Sequence, residues 1–435
     1  MPEGCAIRSQ SPAGHPTTTR HRAHPVPASK ALGNPAPIHR DPQFRRLWVV
    51  GGLVSLIRWL EILAFAVFTY DHTQSALWVA SLMMLRMLPL AVFGLALGAL
   101  AARVSRRAVL LATHALLLAS CLVLMLLALL GAIEVWHLAA ASALHGTVWA
   151  CDMPMRRGLM GDIAGPGRVA QAMSLDAVTA NACRLVGPML GGLLIARGGL
   201  PVVFLANAVL YLPVLFALLR LREPPVERLH TRLSLRTLLS GGFQAARESP
   251  LLRAALWLTI LFNLFAWPVL SMVPVIGREQ LRLDPQGVGV LASLDGVGSL
   301  IGALVLSTAA GRLRQGPVYL GAVVAFLLLQ MVLAWSPVAL LTGLALLLLG
   351  LVQAGFAVMQ TTLVYTATAE ARRPEAMGLM TMCIGASPLG FLAVGALAER
   401  LGAPGATLLC GVCGLLGVAL TWPVCRACLR EPGRG

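Results

Sequence analysis

Residues 94–100 read Gly-Leu-Ala-Leu-Gly-Ala-Leu, and 204 positions further on residues 298–304 read Gly-Ser-Leu-Ile-Gly-Ala-Leu. Each lies in an apolar stretch long enough to cross a bilayer, which takes about 20 helical residues. The same offset of 204 aligns Ala172-Met173-x-Leu175 with Ala376-Met377-x-Leu379. Cys183 and Pro188 then align with Cys383 and Pro388 at an offset of 200. One such match is chance; several in chain order predict a duplicated chain. Outward from these stretches the apolar segments fall at 47–70, 77–101, 108–131, 135–154, 169–195, 201–219, 254–276, 286–310, 317–335, 338–366, 376–398 and 404–425. They are numbered here as spans one to twelve. Pro89, Pro188, Pro213, Pro268 and Pro388 fall inside them, which a membrane bundle tolerates because neighbouring helices satisfy the freed carbonyls. The expected fold is all-α and integral to the membrane, with twelve helices in two pseudo-symmetric six-helix bundles at 45–219 and 254–425. A disordered tail (1–44), a linker (220–253) and a second tail (426–435) complete the chain. Within the linker, residues 233–248 (LSLRTLLSGGFQAARE) suit an amphipathic helix lying on the membrane surface.

Composition supports this. Of 435 residues 57% are hydrophobic and only 12% charged, about half the ~25% of a soluble chain, and the mean hydropathy is +0.79. A soluble globule, a disulfide scaffold and an intrinsically disordered protein are excluded as descriptions of the whole. The N-terminal tail has no continuous apolar core of a secretory signal, and its Pro, Thr, Ala, His and Arg cannot bury one. The 34 basic and 18 acidic residues give a net charge of +16, a value that can mark a nucleic-acid partner. Placement argues otherwise. Twenty-seven of the 34 fall in the tails and alternate loops, and four (Arg197, Arg278, Arg282, Arg400) on the opposite face. That asymmetry is the positive-inside rule, so both termini are expected in the cytoplasm of a multi-pass protein of the inner membrane, with no nucleic-acid partner.

The remaining three arginines, Arg58, Arg86 and Arg184, lie inside spans, against Glu61, Asp176 and Asp295. An intramembrane charge is costly and therefore a functional candidate. Arg58 lies one turn from Glu61 on one helix face, and Arg86 lies at similar depth. The expectation is a Glu61–Arg58–Arg86 cluster that takes up or gates a coupling proton, or else orients spans one and two as a purely structural cluster. Arg184 and Asp295, at matching depth on spans five and eight, are expected to bridge the halves. Asp176 and Asn181 are expected to face a central cavity lined by Trp59, Phe65, Trp149, Phe262, Asn263, Trp267, Met359 and Gln360, with each aromatic alternatively a packing residue. His145 is either a titrating group or a hydrogen-bonded core residue. Glycine pairs at 94/98, 187/191, 298/302 and 385/390 either pack helices generally or line the seam between the halves.

Other motifs carry no chemistry. Cys410-x2-Cys413 and Cys425-x2-Cys428 imitate a zinc ribbon, but on a continuous helix their starts stand ~22 Å apart, so no metal is expected. Gly296-Val-Gly298 lacks the strand and Lys of a phosphate loop. No nucleophile–base pair within the spans suggests an enzyme.

Three stretches resemble a known family. Gly98-Ala-Leu-Ala-Ala-Arg-Val-Ser-Arg-Arg107 is similar to the loop 2–3 signature G-x-L-A-D-R-x-G-R-R of the major facilitator superfamily. Arg184-Leu-Val-Gly-Pro-Met-Leu-Gly-Gly-Leu193, built on Gly187, Pro188, Gly191 and Gly192, resembles that superfamily's span-five exporter motif. Arg372-Arg-Pro-Glu-Ala-Met-Gly378 with Ser387-Pro-Leu-Gly390 is like the span-eleven entrance of its drug- and siderophore-exporting branch. The resemblance covers roughly 41–425. It implies a proton-driven secondary transporter, monomeric and without a bound cofactor, exporting a small amphipathic molecule by alternating access. A lysophospholipid flippase or a non-transporting sensor or scaffold are the alternatives. Gly98, Arg103, Arg106 and Arg107 match the signature, but Ala102 stands at its acidic position and Ser105 at its glycine. The resemblance makes that acid a latch, for which Asp152 or Asp162 on the same face are the candidate substitutes.

Overall fold

The computed structural model describes residues 37–101, 105–165, 167–223, 235–309 and 313–430, and their side chains except at 94–101, 235–239, 309 and 371. These residues form helices, with no strand among them. Nine helical stretches are long and apolar enough to cross a membrane, and two of the nine are hairpins of two spans. Val169–Leu219 breaks at Gly198–Gly199, where Gly199 has φ 65°, and Ser387–Leu420 breaks at Gly402, with φ 72°. A proline follows two residues later in both cases, Pro201 and Pro404. Glycine takes the left-handed conformation that closes one helix, and proline opens the next with its fixed φ. The paired Gly-x-Pro turns are a further correspondence between the halves. Span four, Val135–Ala164, is too polar to count among the nine, yet Leu138, Val148 and Leu159 on it are buried. Twelve spans result, in two halves of six.

The ordered chain extends beyond the expected boundaries. Span one starts at Pro42, capped by Asp41, whose carboxylate accepts from the Gln43 N–H at 2.8 Å and the Phe44 N–H at 3.3 Å. Ile38 and Phe44, assigned above to the tail, are fully buried. At the other end Arg426–Arg430 forms a short helix with Cys428 buried. A sharp cap and one apolar anchor override a polar composition. Residues 1–36 and 431–435 lie outside the described residues. The linker helix is observed at Leu235–Glu248, packed on the start of span eleven, with Arg372 donating to Glu248 at 2.8 Å.

The apolar cores of the two halves differ. One continuous cluster fills the C-terminal half, from Ala245 to Cys428, and takes in Ala66, Tyr70, Ala76, Val79 and Ala80 of spans one and two. In the N-terminal half the core is divided: Leu117, Val148 and Tyr211 belong to one cluster, Leu110, Met155 and Val214 to another. His114 and Asp152, both buried, fall between them on spans three and four.

Span seven, Pro250–Glu279, changes its winding midway. An α-helix gives way to a π-turn at Phe262–Ala266 and a 3-10 turn at Trp267–Met272. Pro268 supplies no N–H, which disrupts the ladder, and the freed groups find side chains. Gln330 donates to the Phe265 carbonyl at 3.0 Å, and Ser271 to the Pro268 carbonyl at 2.7 Å.

The glycine pairs do not act as one seam. Gly187 and Gly191 face Trp59 and Leu60 of span one, while Gly298 and Gly302 face Leu347 and Leu351 of span ten. Both contacts are internal to a half and fit the general packing role, whereas Gly385 meets Ala91 of span two across the halves, as the seam role expects, and the side-chain surroundings of Gly94 and Gly98 lie outside the described residues. The halves meet more closely elsewhere, at Gly192 and Gly289. A methyl group at Gly289 would stand 2.6 Å from the Pro188 carbonyl oxygen and 3.0 Å from Gly192 Cα. Gly289→Val is therefore expected to destabilise the protein by about 1–3 kcal/mol through overpacking, read as a lowered melting temperature in detergent. Gly321→Ala, where an added methyl meets nothing within 4 Å, is expected to leave it unchanged or raise it.

Candidate functional site

Two cavities adjoin near the middle of the bundle. The smaller, of about 30 Å³, lies wholly in the N-terminal half, and Arg58, Glu61, Arg86, His114, His145, Trp149, Asp152 and Tyr211 are among its walls. Glu61 is the centre of its hydrogen bonding. The Arg86 guanidinium donates to Glu61 Oε2 at 3.3 Å, His145 Nδ1 lies 2.7 Å from the same oxygen, and Asn207 donates to Oε1 at 3.2 Å. Spans one, two, four and six thus converge on one carboxylate. A second cluster sits beside it. Arg156 reaches Asp152 at 3.4 Å and Asp176 at 2.6 Å, and Arg157 reaches Asp176 at 3.4 Å. His114 Nε2 and Asp152 Oδ1 are 3.6 Å apart, too far for a hydrogen bond. These two atoms, with Arg86 Nε and His145 Nε2, are buried without a hydrogen-bond partner among the described residues. A cavity of this size has room for a water molecule.

The larger cavity, of about 180 Å³, lies between the halves. Arg58, Trp59, Met83, Met87, Trp149 and Arg184 line it from the N-terminal half, and Trp267, Asp295, Leu346 and Phe391 from the other. The irregular part of span seven supplies Trp267, Leu270 and Ser271 to the wall. Arg58 and Trp149 belong to both cavities.

Several expected residues are brought together and others are not. Arg184 donates from Nε to Asp295 Oδ2 at 2.7 Å and from a terminal nitrogen to Gln353 at 2.5 Å, so the two charges do bridge the halves. His145 joins Glu61. Arg58, expected to pair with Glu61, does not: its guanidinium lies 5.3 Å from the Trp149 ring centre and 6.0 Å from that of Trp59. His145 and Asn207 occupy the carboxylate instead. Asp176 faces Arg156 and Arg157 and does not line the central cavity. Asn181 accepts from Ser299 across the halves at 3.1 Å. Phe65 packs against Phe204, and Phe262 stacks on Phe356 at 3.7 Å. Asn263 donates to the Thr259 carbonyl, and Gln360 to the Thr259 hydroxyl, both inside the C-terminal half. Met359 is buried in that core. Of the eight expected lining residues only the tryptophans reach the cavity, together with Pro188 of the span-five motif. Asn207, His114 and Tyr211 escaped the sequence reading because a neutral polar residue, a histidine or a tyrosine in a span has no charge imbalance to betray it.

In the loop signature Ala102 and Arg103 lie outside the described residues, as do the side-chain surroundings of Gly98. Arg106 donates to Asp162 at 2.6 Å, and Arg107 to the Leu218 and Leu219 carbonyls at 3.0 and 2.7 Å. Asp162, a candidate substitute for the missing acid, meets a signature arginine.

On the face opposite the termini polar contacts tie the halves. Arg278 donates to Asp71 at 2.7 Å. Glu399, beyond the end of span eleven, accepts from the Ser75 hydroxyl and, at 3.0 Å, from the Leu77 N–H. Those donors hold the Glu399 carboxyl below its usual range.

Among the described residues, twelve spans in two matched halves with a cavity at their boundary define a membrane protein of the major facilitator fold. A family model described as transmembrane secretion effector matches residues 33–431, and the chain belongs to that family. It is 27% identical over 260 residues to the MFS-type transporter YfiS of Bacillus subtilis (strain 168), covering 58% of this chain and 60% of that one. With the enterobactin exporter EntS of Citrobacter koseri it shares 30% identity over 239 residues, 53% of this chain and 56% of EntS. The chain thus spans less than two thirds of the curated relatives it matches. Among solved structures, the nucleoside transporter NupG superposes with a TM-score of 0.68 at 13% identity, over 88% of this chain and 98% of NupG. An inward-facing bacterial homologue of the human lysosomal transporter Spinster gives 0.69 at 14% identity, over 90% and 98%. These two likenesses concern the fold.

Two expectations follow from the contacts. Removing either charge of the Arg184–Asp295 pair leaves the other buried and is expected to cost about 3–5 kcal/mol; the swapped double variant, Arg184→Asp with Asp295→Arg, is expected to recover most of the lost melting temperature. Failure of the swap to improve on either single variant would refute the pairing. Glu399 has a depressed carboxyl pKa, so its contact stabilises above the ordinary carboxylate range and is lost as pH falls through the lowered value. Glu399→Gln is expected to melt slightly below the wild type at pH 7, with the gap closing once Glu399 is protonated in both states.

Proposed function

We propose that the chain is a proton-coupled exporter of a small amphipathic molecule, such as a drug or siderophore-like metabolite, working by alternating access. In this reading it is a monomer of the cytoplasmic (inner) membrane, with both termini in the cytoplasm and the proton gradient as its energy source. It needs no bound metal or cofactor and has no nucleic-acid partner. The observation that carries the proposal is the shared wall of the two cavities. A buried carboxylate–histidine pair, Glu61 and His145, stands 2.7 Å apart in one cavity, and Arg58 and Trp149 separate it from the other. The arginine asymmetry supports the orientation, and the name of EntS as an exporter supports the direction.

In chemical terms, one proton added to the Glu61–His145 pair changes the charge of a desolvated cluster by one. In a low-dielectric interior that change is felt strongly by Arg86 and Arg58 nearby. A molecule entering the central cavity displaces the surroundings of Arg58 and Trp149 and so acts on the same cluster. Proton and substrate therefore bias one equilibrium between two arrangements of the halves. With the contacts at Asp71–Arg278 and Ser75–Glu399 in place the outer face is closed; their opening is the other arrangement.

Everted vesicles under an imposed pH gradient, challenged with dyes, macrolides, siderophores and lysolipids, test the reading. Gradient-driven accumulation of at least one compound is expected, largely abolished in Glu61→Gln. Lysolipid movement that ignores the gradient would favour a flippase. Folded protein that moves nothing would favour a sensor or scaffold.

A further inference from the structure

The charges around the two cavities do not balance locally. Glu61, Asp152, Asp176 and Asp295 each have an arginine in ion-pair contact, and those arginines are Arg86, Arg156, Arg157 and Arg184. Arg58 is the one left over: among the described residues it has no ion pair and no hydrogen bond. Asp152 borders the same small cavity, but its contacts go to Arg156 and His114. What Arg58 does have is two indole rings, Trp149 at 5.3 Å and Trp59 at 6.0 Å. Cation–π contact offsets part of the cost of a desolvated guanidinium while leaving its N–H donors unused. Arginine presents those donors as a planar fork suited to a carboxylate or phosphate.

From this we infer that the central cavity is selective for anions: Arg58 receives an acidic group, and the apolar wall beyond it receives the rest of an aromatic or aliphatic body. The inference deepens the export reading by naming the substrate class, and rests on it. The second arginine in the wall does not compete. Arg184 is engaged by Asp295 and Gln353. Asp295 likewise offers no uncompensated negative charge to a cation, since Arg184 neutralises it; its second oxygen is buried, with no hydrogen-bond partner among the described residues. Trp59 lies against both guanidiniums, 5.2 Å from that of Arg184. An acid entering beside Arg58 therefore meets a net positive wall. The rest of the lining, Met83, Met87, Leu346 and Phe391 among it, gains from contact with an apolar body. A carboxylate or phosphate of this kind could belong to a free small acid or to the headgroup of an anionic lipid, and the two share one chemistry.

The test is calorimetric binding to the purified full-length protein in phosphatidylcholine nanodiscs, with three probes of matched shape: naphthoate, naphthalenemethanol and naphthylmethylammonium. Naphthoate is expected to bind about tenfold or more tightly than the other two, the usual range for a charge-assisted hydrogen bond. Arg58→Gln is expected to remove that advantage without changing naphthalenemethanol binding. Arg58→Lys, which keeps the charge, is expected to keep the preference and guards against a folding defect. Equal binding of naphthoate and the ammonium, or a loss common to all three probes in Arg58→Gln, overturns the inference. Repeating the titration with phosphatidylglycerol names the source: competition with naphthoate supports a lipid headgroup, and its absence supports a free acid. Anion-selective binding without gradient-driven flux would sink the export reading alone. Flux of neutral or cationic compounds without naphthoate preference would sink the anion assignment alone.

Discussion

Glu61 is 1% exposed in the middle of a span, and a carboxylate there is tolerable only if donors replace its water. Arg86, His145 and Asn207 do so, and they stand on three different helices. That requirement organises the N-terminal half. It draws spans two, four and six onto span one and forces polar residues into a layer that would otherwise be apolar. It also leaves the core on either side divided into two clusters. Tyr211 and His114 border the same layer, so the half is held by a polar centre as well as by packing. The polar character of span four, which makes it a poor membrane helix by composition, is the sequence cost of that centre.

Much of the architecture was legible because membrane physics is simple. Twelve stretches, the duplication and the asymmetric arginines each follow from length, repetition and charge, and the Gly-x-Pro turns add a further local signal. The site was legible in part. Arg184 and Asp295 were placed together by depth alone, since two lone opposite charges on neighbouring spans have few other partners. Arg58 was misplaced because helical spacing says which face a residue occupies, not which of several competitors reaches the carboxylate. His145 Nδ1 lies 2.7 Å from it, and Arg58 turns toward indoles. Arg156 was misread in another way. Its place in the chain between spans four and five suits a cytoplasmic anchor, yet it is buried between Asp152 and Asp176. A basic residue near the end of a span can serve topology or structure, and only its neighbours decide.

The duplication then sharpens what the polar layer means. At the repeat's offset of 204, the counterparts of Arg58, Glu61, Arg86, His145 and Asp152 are Phe262, Phe265, Val290, Leu349 and Phe356. Every charged or titratable position of the cluster is apolar in the second half. Phe262 and Phe356 stack at 3.7 Å, where the first half has Arg58 and Asp152 around a small polar cavity. The same backbone plan therefore carries an uncharged, aromatic core at these positions in one half and an ionisable one in the other. A packed aromatic pair resists rearrangement because its contacts are close and short-ranged. Hydrogen-bonded charges around a water-sized space have alternative partners within reach. A device that must respond to a proton needs the second kind of core and a firm partner to move against. In the proton-coupled reading proposed above the two halves divide those tasks, and the Arg184–Asp295 contact stands at the boundary between them.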